Sequence, residues 1–200
     1  MSKNLEQDVN FLFEMGNIRH IQRMWQRFNT PQLANLAEHH FRVFWIALVI
    51  ASREGNADTG KIAKMAILHD IAESRTGDVD LLSRQYVERN EELGIQDILE
   101  GTELEKEFYA LWQEYEARDS LEAKIVKDAD NLDVDFELTE QAATGSTLSA
   151  NTHETREFVA ANKLYTKTAR ELYSQLKEAN PHAWWRDSRR NRRNSGNWRK

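Results

Sequence analysis

Only two prolines, Pro31 and Pro181, and eight glycines interrupt this chain of 200 residues. Proline removes a helix hydrogen bond, and glycine costs about 1 kcal/mol in a helix interior. Long stretches without either favour an all-helical fold, and the apolar residues repeat accordingly. Leu5, Val9, Leu12 and Phe13 mark one face of a helix over residues 4–15, which Gly16 ends. From Leu36 to about Ser52 the chain is apolar nearly all round, which predicts a buried helix. Thr30-Pro31 offers a start signal for it, and Asn35 with Glu38 three residues later offers another. Residues 103–118 carry Leu104, Phe108, Leu111, Trp112 and Tyr115 at helical spacing. Ser120–Gln141 reads as a long helix, 143–153 as a loop, and Thr155–Ala179 as one further helix with Ala161, Leu164, Thr168, Leu172 and Leu176 inward. The charged stretch Ser83–Leu99 is expected to be a helical excursion broken near Gly94.

These patterns predict a single all-α domain over residues 1–180 and a basic, Arg/Trp-rich tail over 181–200. The tail holds six arginines and one lysine against Asp187, a charge of +6. Subtracting that from the whole-chain charge of −6 leaves −12 on residues 1–180. An acidic body repels a phosphorylated ligand unless local cations or a metal reverse the field. The tail reads as a segment that folds back on this body, and contact with nucleic acid is the sharper alternative. No cysteine is present, which excludes a disulfide framework or thiolate zinc site and suits the cytoplasm. The longest apolar window, Val43–Ala51, is too short for a membrane span, so no membrane partner is expected.

Chemistry concentrates in Met65-Ala66-Ile67-Leu68-His69-Asp70-Ile71-Ala72-Glu73. The stretch reads as the later turns of a helix starting near Lys61, with Ile62, Met65, Ala66 and Ala72 as its apolar stripe. His69 and Asp70 then project about 100° apart and can grip one ion from two directions. Glu73 stands one turn on from both. By itself a His-Asp pair also fits an ordinary solvated surface. Elsewhere, Glu38, His39 and His40 open the apolar helix, and two buried imidazoles in succession are costly unless something pairs with them. Asp78 follows Thr76-Gly77 in a turn. In the 120–141 helix Asp128, Asp130, Asp133 and Asp135 compete, and spacing alone does not choose among them. Arg23 and Trp25 read either as a solvated cation beside a core tryptophan or as an anion grip.

Taken in order, Arg23 near Trp25, Ala-Glu-His39 followed by Arg42-Val43, Leu-His69-Asp70-Ile-Ala-Glu73, Thr-Gly-Asp78 and Lys-Asp-Ala-Asp130 resemble the HD-domain superfamily of metal-dependent phosphohydrolases. The branch is the one containing the bacterial 5′-deoxynucleotidases and their eukaryotic relatives, and the likeness covers roughly residues 15–140. It implies a helical bundle with a buried metal site between helices and a homodimer. It implies His39, His69, Asp70 and Asp130 as metal ligands, Glu73 as the catalytic carboxylate, and Asp78 at the catalytic site against the substrate sugar. Arg23, aided by Trp25, would hold the phosphate. Met24 separates Arg23 from Trp25 where the best-known deoxynucleotidases have Arg-Trp, and Val79-Asp80-Leu81 replaces Leu-Pro-Thr.

The expected reaction is hydrolysis of a nucleoside 5′-monophosphate to nucleoside and phosphate. One divalent ion, Mn, Co, Fe, Ni or Zn with Mg less suited, would assist it. Two alternatives stand beside it: hydrolysis of a nucleoside triphosphate or signalling nucleotide by the same site, and a non-catalytic adaptor using the basic tail.

Overall fold

The computed structural model describes residues 5–28 and 33–188, so Thr30, Pro31 and most of the basic tail, 189–200, lie outside the described residues. Among the described residues the chain is helical with no strands. The helices are α1 (Leu5–Asn17), α2 (Leu36–Glu54), α3 (Thr59–Leu68), α4 (Glu73–Thr76), α5 (Glu91–Leu99), α6 (Glu105–Ala117), α7 (Leu121–Ala143), α8 (Leu148–Asn162), α9 (Lys167–Lys177) and α10 (Ala183–Arg186). Helix α2 packs most extensively on α7 and α3. Their shared interface holds Val43, Ile46, Ala47, Ile50, Ile62, Met65, Ile125, Val126, Ala129 and Leu132, all buried. Each such large apolar side chain contributes roughly 1.5–3 kcal/mol by leaving water. This interface is what holds the site's three parent segments in register.

Local chemistry sets the helix ends. The side chain of Asn35 accepts from the Glu38 backbone N–H while Glu38 accepts from the Asn35 N–H, so the capping box places the first turn of α2. Asp58, Ser120 and Thr166 cap α3, α7 and α9 in the same way, accepting from Lys61, Ala123 and Ala169.

Helix α1 forms, with the shared apolar face of Leu5, Val9, Leu12 and Phe13 on the surface, while Phe11 and Met15 meet the core. Three expectations about segments are corrected. Helix α2 is buried on one side only, since Phe41, Trp45 and Val49 form an exposed stripe at i, i+4 and i+8. Helix α5 runs through Gly94 without a break. The segment read as one helix over 155–179 is two helices, and α8 begins at Leu148, inside the expected loop. The split at 163–166 has a tertiary cause. Asp128 on α7 accepts from the backbone N–H groups of Tyr165 and Thr166 and from the Thr166 hydroxyl, at 2.7–2.8 Å. That anchor turns the chain, buries Leu164 and leaves Ala161 exposed.

Candidate metal centre

Three segments deliver the four expected ligands to one place. His39 sits in the second turn of α2, Asp130 midway along α7, and His69-Asp70 just beyond the end of α3. The expectation that His69 and Asp70 are helical neighbours is corrected, because α3 stops at Leu68. From there the backbone tightens: Ile71 N–H bonds Leu68 O at 3.1 Å and Glu73 N–H bonds Asp70 O at 3.0 Å, both i to i+3. The tight turns project both side chains from a short arc and start α4 at Glu73.

One ligand atom from each of His39, His69, Asp70 and Asp130 lies within 4.8 Å of the others. His39 Nε2 stands 3.2 Å from His69 Nε2, 3.6 Å from Asp70 Oδ2 and 3.4 Å from Asp130 Oδ1, and His69 Nε2 stands 3.2 Å from Asp70 Oδ2. Ligand atoms held about 2.1 Å from a zinc-sized ion at angles near 90–109° are roughly 3.0–3.4 Å apart, so the spacing fits a divalent cation.

The hydrogen bonds behind the rings strengthen that fit. His69 Nδ1 donates to the Ala66 carbonyl at 2.8 Å, and His39 Nδ1 donates to Asp133 Oδ2 at 2.6 Å. In neutral rings both Nε2 atoms therefore carry lone pairs that face each other, and a cation between them relieves the repulsion. Burial and Arg23 oppose charge on His39, but hydrogen bonds from Asp130, Asp133 and Asp70 outweigh them and hold its pKa well above the usual imidazole value. The cluster is built to hold positive charge.

Around the four, further groups set orientation. Lys127 Nζ donates to Asp130 Oδ2 at 2.7 Å, leaving Oδ1 toward His39. Asp133 was only one of four competing aspartates in the sequence, yet it stands one helical turn past Asp130 and orients the His39 ring. Outer-shell carboxylates of this kind fix the tautomer of a ligating imidazole. Asp133→Asn is accordingly expected to weaken divalent-metal affinity by about 10–100-fold, read by titration of the metal-free protein. An unchanged affinity would remove Asp133 from the site.

Arg23 lies at the rim, 3.2 Å from Asp78 Oδ2 and 3.7 Å from Asp70 Oδ2. Asp78 also accepts from the Met24 backbone N–H at 3.0 Å, so it fastens the Arg23 segment to the site. Gly77, at φ +73°, makes the turn that presents Asp78 and supplies a backbone conformation L-residues rarely adopt. Trp25 does not stand on the ion cluster: it packs with Leu33, Leu138 and Leu148 in a small satellite core that borders the space beside Arg23. Asp80, at the departure from Leu-Pro-Thr, accepts from the Leu82 and Ser83 N–H groups and pairs with Arg27, so it shapes the loop.

Glu73 is buried beside these groups. Burial, then repulsion from Asp70 and Asp78, pushes its pKa up to about 9, against the attraction of Arg23 and Arg89. His40 is buried against the His69 ring, 4.8 Å between centroids, and burial together with its charged neighbours lowers its pKa well below the usual value. It stays neutral and outside the ion cluster. Arg89 was not singled out in the sequence, where it is one cation in a highly charged stretch. Its Nη1 meets Glu73 Oε1 at 3.1 Å.

Fold and site together define an HD-type helical domain with a two-histidine, two-aspartate ion cluster. A profile of the HD domain family matches residues 15–177, and the chain belongs to that family. It is similar to the cattle (Bos taurus) protein named 5′-deoxynucleotidase HDDC2, 31% identical over 138 residues, covering 66% of this chain and 66% of the relative. The chain thus spans just under two thirds of that relative's length. A 5′-deoxynucleotidase of Photorhabdus laumondii is 27% identical over 181 residues, covering 83% of this chain and 86% of its own. Among solved structures, a conserved hypothetical protein from Pyrococcus furiosus superposes with a TM-score of 0.71 at 27% identity, covering 86% of this chain and 99% of that one.

Proposed function

We propose that this protein is a metal-dependent phosphohydrolase that converts (deoxy)nucleoside 5′-monophosphates and water to nucleosides and inorganic phosphate. The observation that carries the reading is the convergence of His39, His69, Asp70 and Asp130 within 4.8 Å, with a cation and an acid at the rim. The nucleotide class is supported by the names of the cattle and Photorhabdus relatives, both 5′-deoxynucleotidases.

His39, His69, Asp70 and Asp130 would hold the divalent ion, which supplies Lewis-acid charge and a lowered pKa for water at the phosphoryl group. Two imidazoles and two carboxylates without sulfur suit Mn, Co, Fe, Ni or Zn better than Mg. Arg23 releases its longer pair with Asp70 and binds non-bridging phosphate oxygens while Asp78 keeps the guanidinium in place. Asp78 also meets the sugar, and Trp25 backs the Arg23 segment. Water attacks phosphorus, the bond to the 5′ oxygen breaks, and Glu73 gives its proton to that departing oxygen. The attacking water's proton later restores Glu73.

We further propose that the protein is a homodimer, as its likeness to the HD-domain deoxynucleotidases implies.

The test is phosphate release from a panel of ribo- and deoxyribonucleotides with each divalent metal in turn. Release from 5′-monophosphates that stops on chelation is expected. Release from triphosphates alone, or from none, would overturn the reading.

A further inference from the structure

Arg89 belongs to no helix and precedes α5, yet its guanidinium is tied to three separate pieces of the site. Nη1 meets Glu73 Oε1 at 3.1 Å and the Gly77 carbonyl at 3.3 Å, and Nη2 pairs with Glu91 Oε1 at 2.6 Å. Glu73 opens α4, Gly77 is the turn residue before Asp78, and Glu91 opens α5. One planar cation therefore sets the spacing between the Glu73 carboxyl and the turn that carries Asp78. The Arg89 side chain is 14% exposed and that of Glu73 is 6% exposed.

The two oxygens of Glu73 are not equivalent in this arrangement. Oε1 accepts from Arg89, while Oε2 is buried without a hydrogen-bond partner. With Oε1 held by the guanidinium, Oε2 is the oxygen of Glu73 left to face the reacting groups. We propose that Arg89 is a positioning residue for the hydrolysis: it holds Oε1 so that Glu73 works through Oε2 alone, in fixed relation to Asp78. The Arg89 guanidinium is already engaged by Glu73, the Gly77 carbonyl and Glu91, so it is poorly suited to bind a dianionic phosphate itself. The assignment rests on the phosphohydrolase reading above.

The experiment measures kcat, KM and bound metal for Arg89→Gln and Arg89→Lys beside the unmodified full chain, with deoxyadenosine 5′-monophosphate as substrate. Arg89→Gln is expected to lower kcat by about 10–100-fold, with KM changed by less than about twofold and metal content kept. Arg89→Lys keeps the charge but not the planar fork, so it should recover part of kcat. An Arg89→Gln enzyme with unchanged kcat would overturn the proposal. So would a raised KM at full kcat, which makes Arg89 a substrate ligand. Should Arg89→Gln fail to fold, Arg89→Lys decides, and a kcat equal to wild type there overturns the assignment. Failure of the unmodified chain to release phosphate would be a different result, overturning the phosphohydrolase reading and this inference with it.

Discussion

Replacing Asp70 by alanine is expected to empty the site of metal and bring turnover to background. Asp70 Oδ2 lies 3.2 Å from His69 Nε2 and 3.6 Å from His39 Nε2, so it faces both imidazoles of the cluster. Attraction by both histidines outweighs the cost of burial and holds its pKa well below the ordinary carboxylate value, so it is ionised and ready to bind a cation. Removing an outer-shell partner costs about 10–100-fold in metal affinity, and removing a ligand that also carries charge should cost more. His69→Ala should behave alike. Metal analysis of the purified variants beside phosphate release checks both effects. Full metal content in Asp70→Ala would contradict the ligand assignment.

Glu73→Gln is expected to separate binding from turnover. Glutamine keeps the shape of the side chain and an oxygen that can accept from Arg89, but it has no proton to give the leaving oxygen. Metal content should match wild type while kcat falls by about 10²–10⁴-fold, the range for loss of a general acid. A kcat near wild type would exclude Glu73 as the acid.

The same variant tests the buried charge. In the metal-free protein the folded pKa of Glu73 lies near 9, above its ordinary value of 4.5. The folded state then binds the proton more tightly than the unfolded state. Its stabilising contribution is complete below about pH 4.5, declines as pH rises, and is gone above about pH 9. Glutamine does not titrate, so thermal melts of metal-free Glu73→Gln should lose less stability between those limits than the metal-free wild type. Equal slopes would place the Glu73 charge in a better solvated environment.

Much of the helical framework is written in local signals. The Asn35–Glu38 capping box, the Leu111–Tyr115 stripe and the apolar run on α7 act within a few residues of chain, so short-range periodicity exposes them. The division between α8 and α9 depends on a partner distant in sequence. Asp128 divides α8 from α9 by catching Tyr165 and Thr166, 37 and 38 residues away. The outward apolar face of α1 has the same periodicity as an inward one, because amphipathicity gives a face without saying what covers it.

The site divides along the same line. His39, His69, Asp70 and Asp130 came together as candidates through the resemblance of their order to the HD superfamily, since a His-Asp pair by itself also fits a solvated surface. Helical spacing alone did not rank Asp130 against its neighbours, because it leaves all four aspartates near one edge. Packing separates them by partner: Asp130 turns to His39 and Lys127, Asp133 to the far nitrogen of His39, Asp128 to the start of α9, and Asp135 to Arg156. Arg89 gains its place at the site through contacts 12 and 16 residues back along the chain, beside its local pair with Glu91. Local composition determined that this chain is helical and which side chains are able to bind a cation. Only the tertiary structure decided which carboxylate does what, because a carboxylate's role depends on the charge and donors set beside it, and those arrive from other helices.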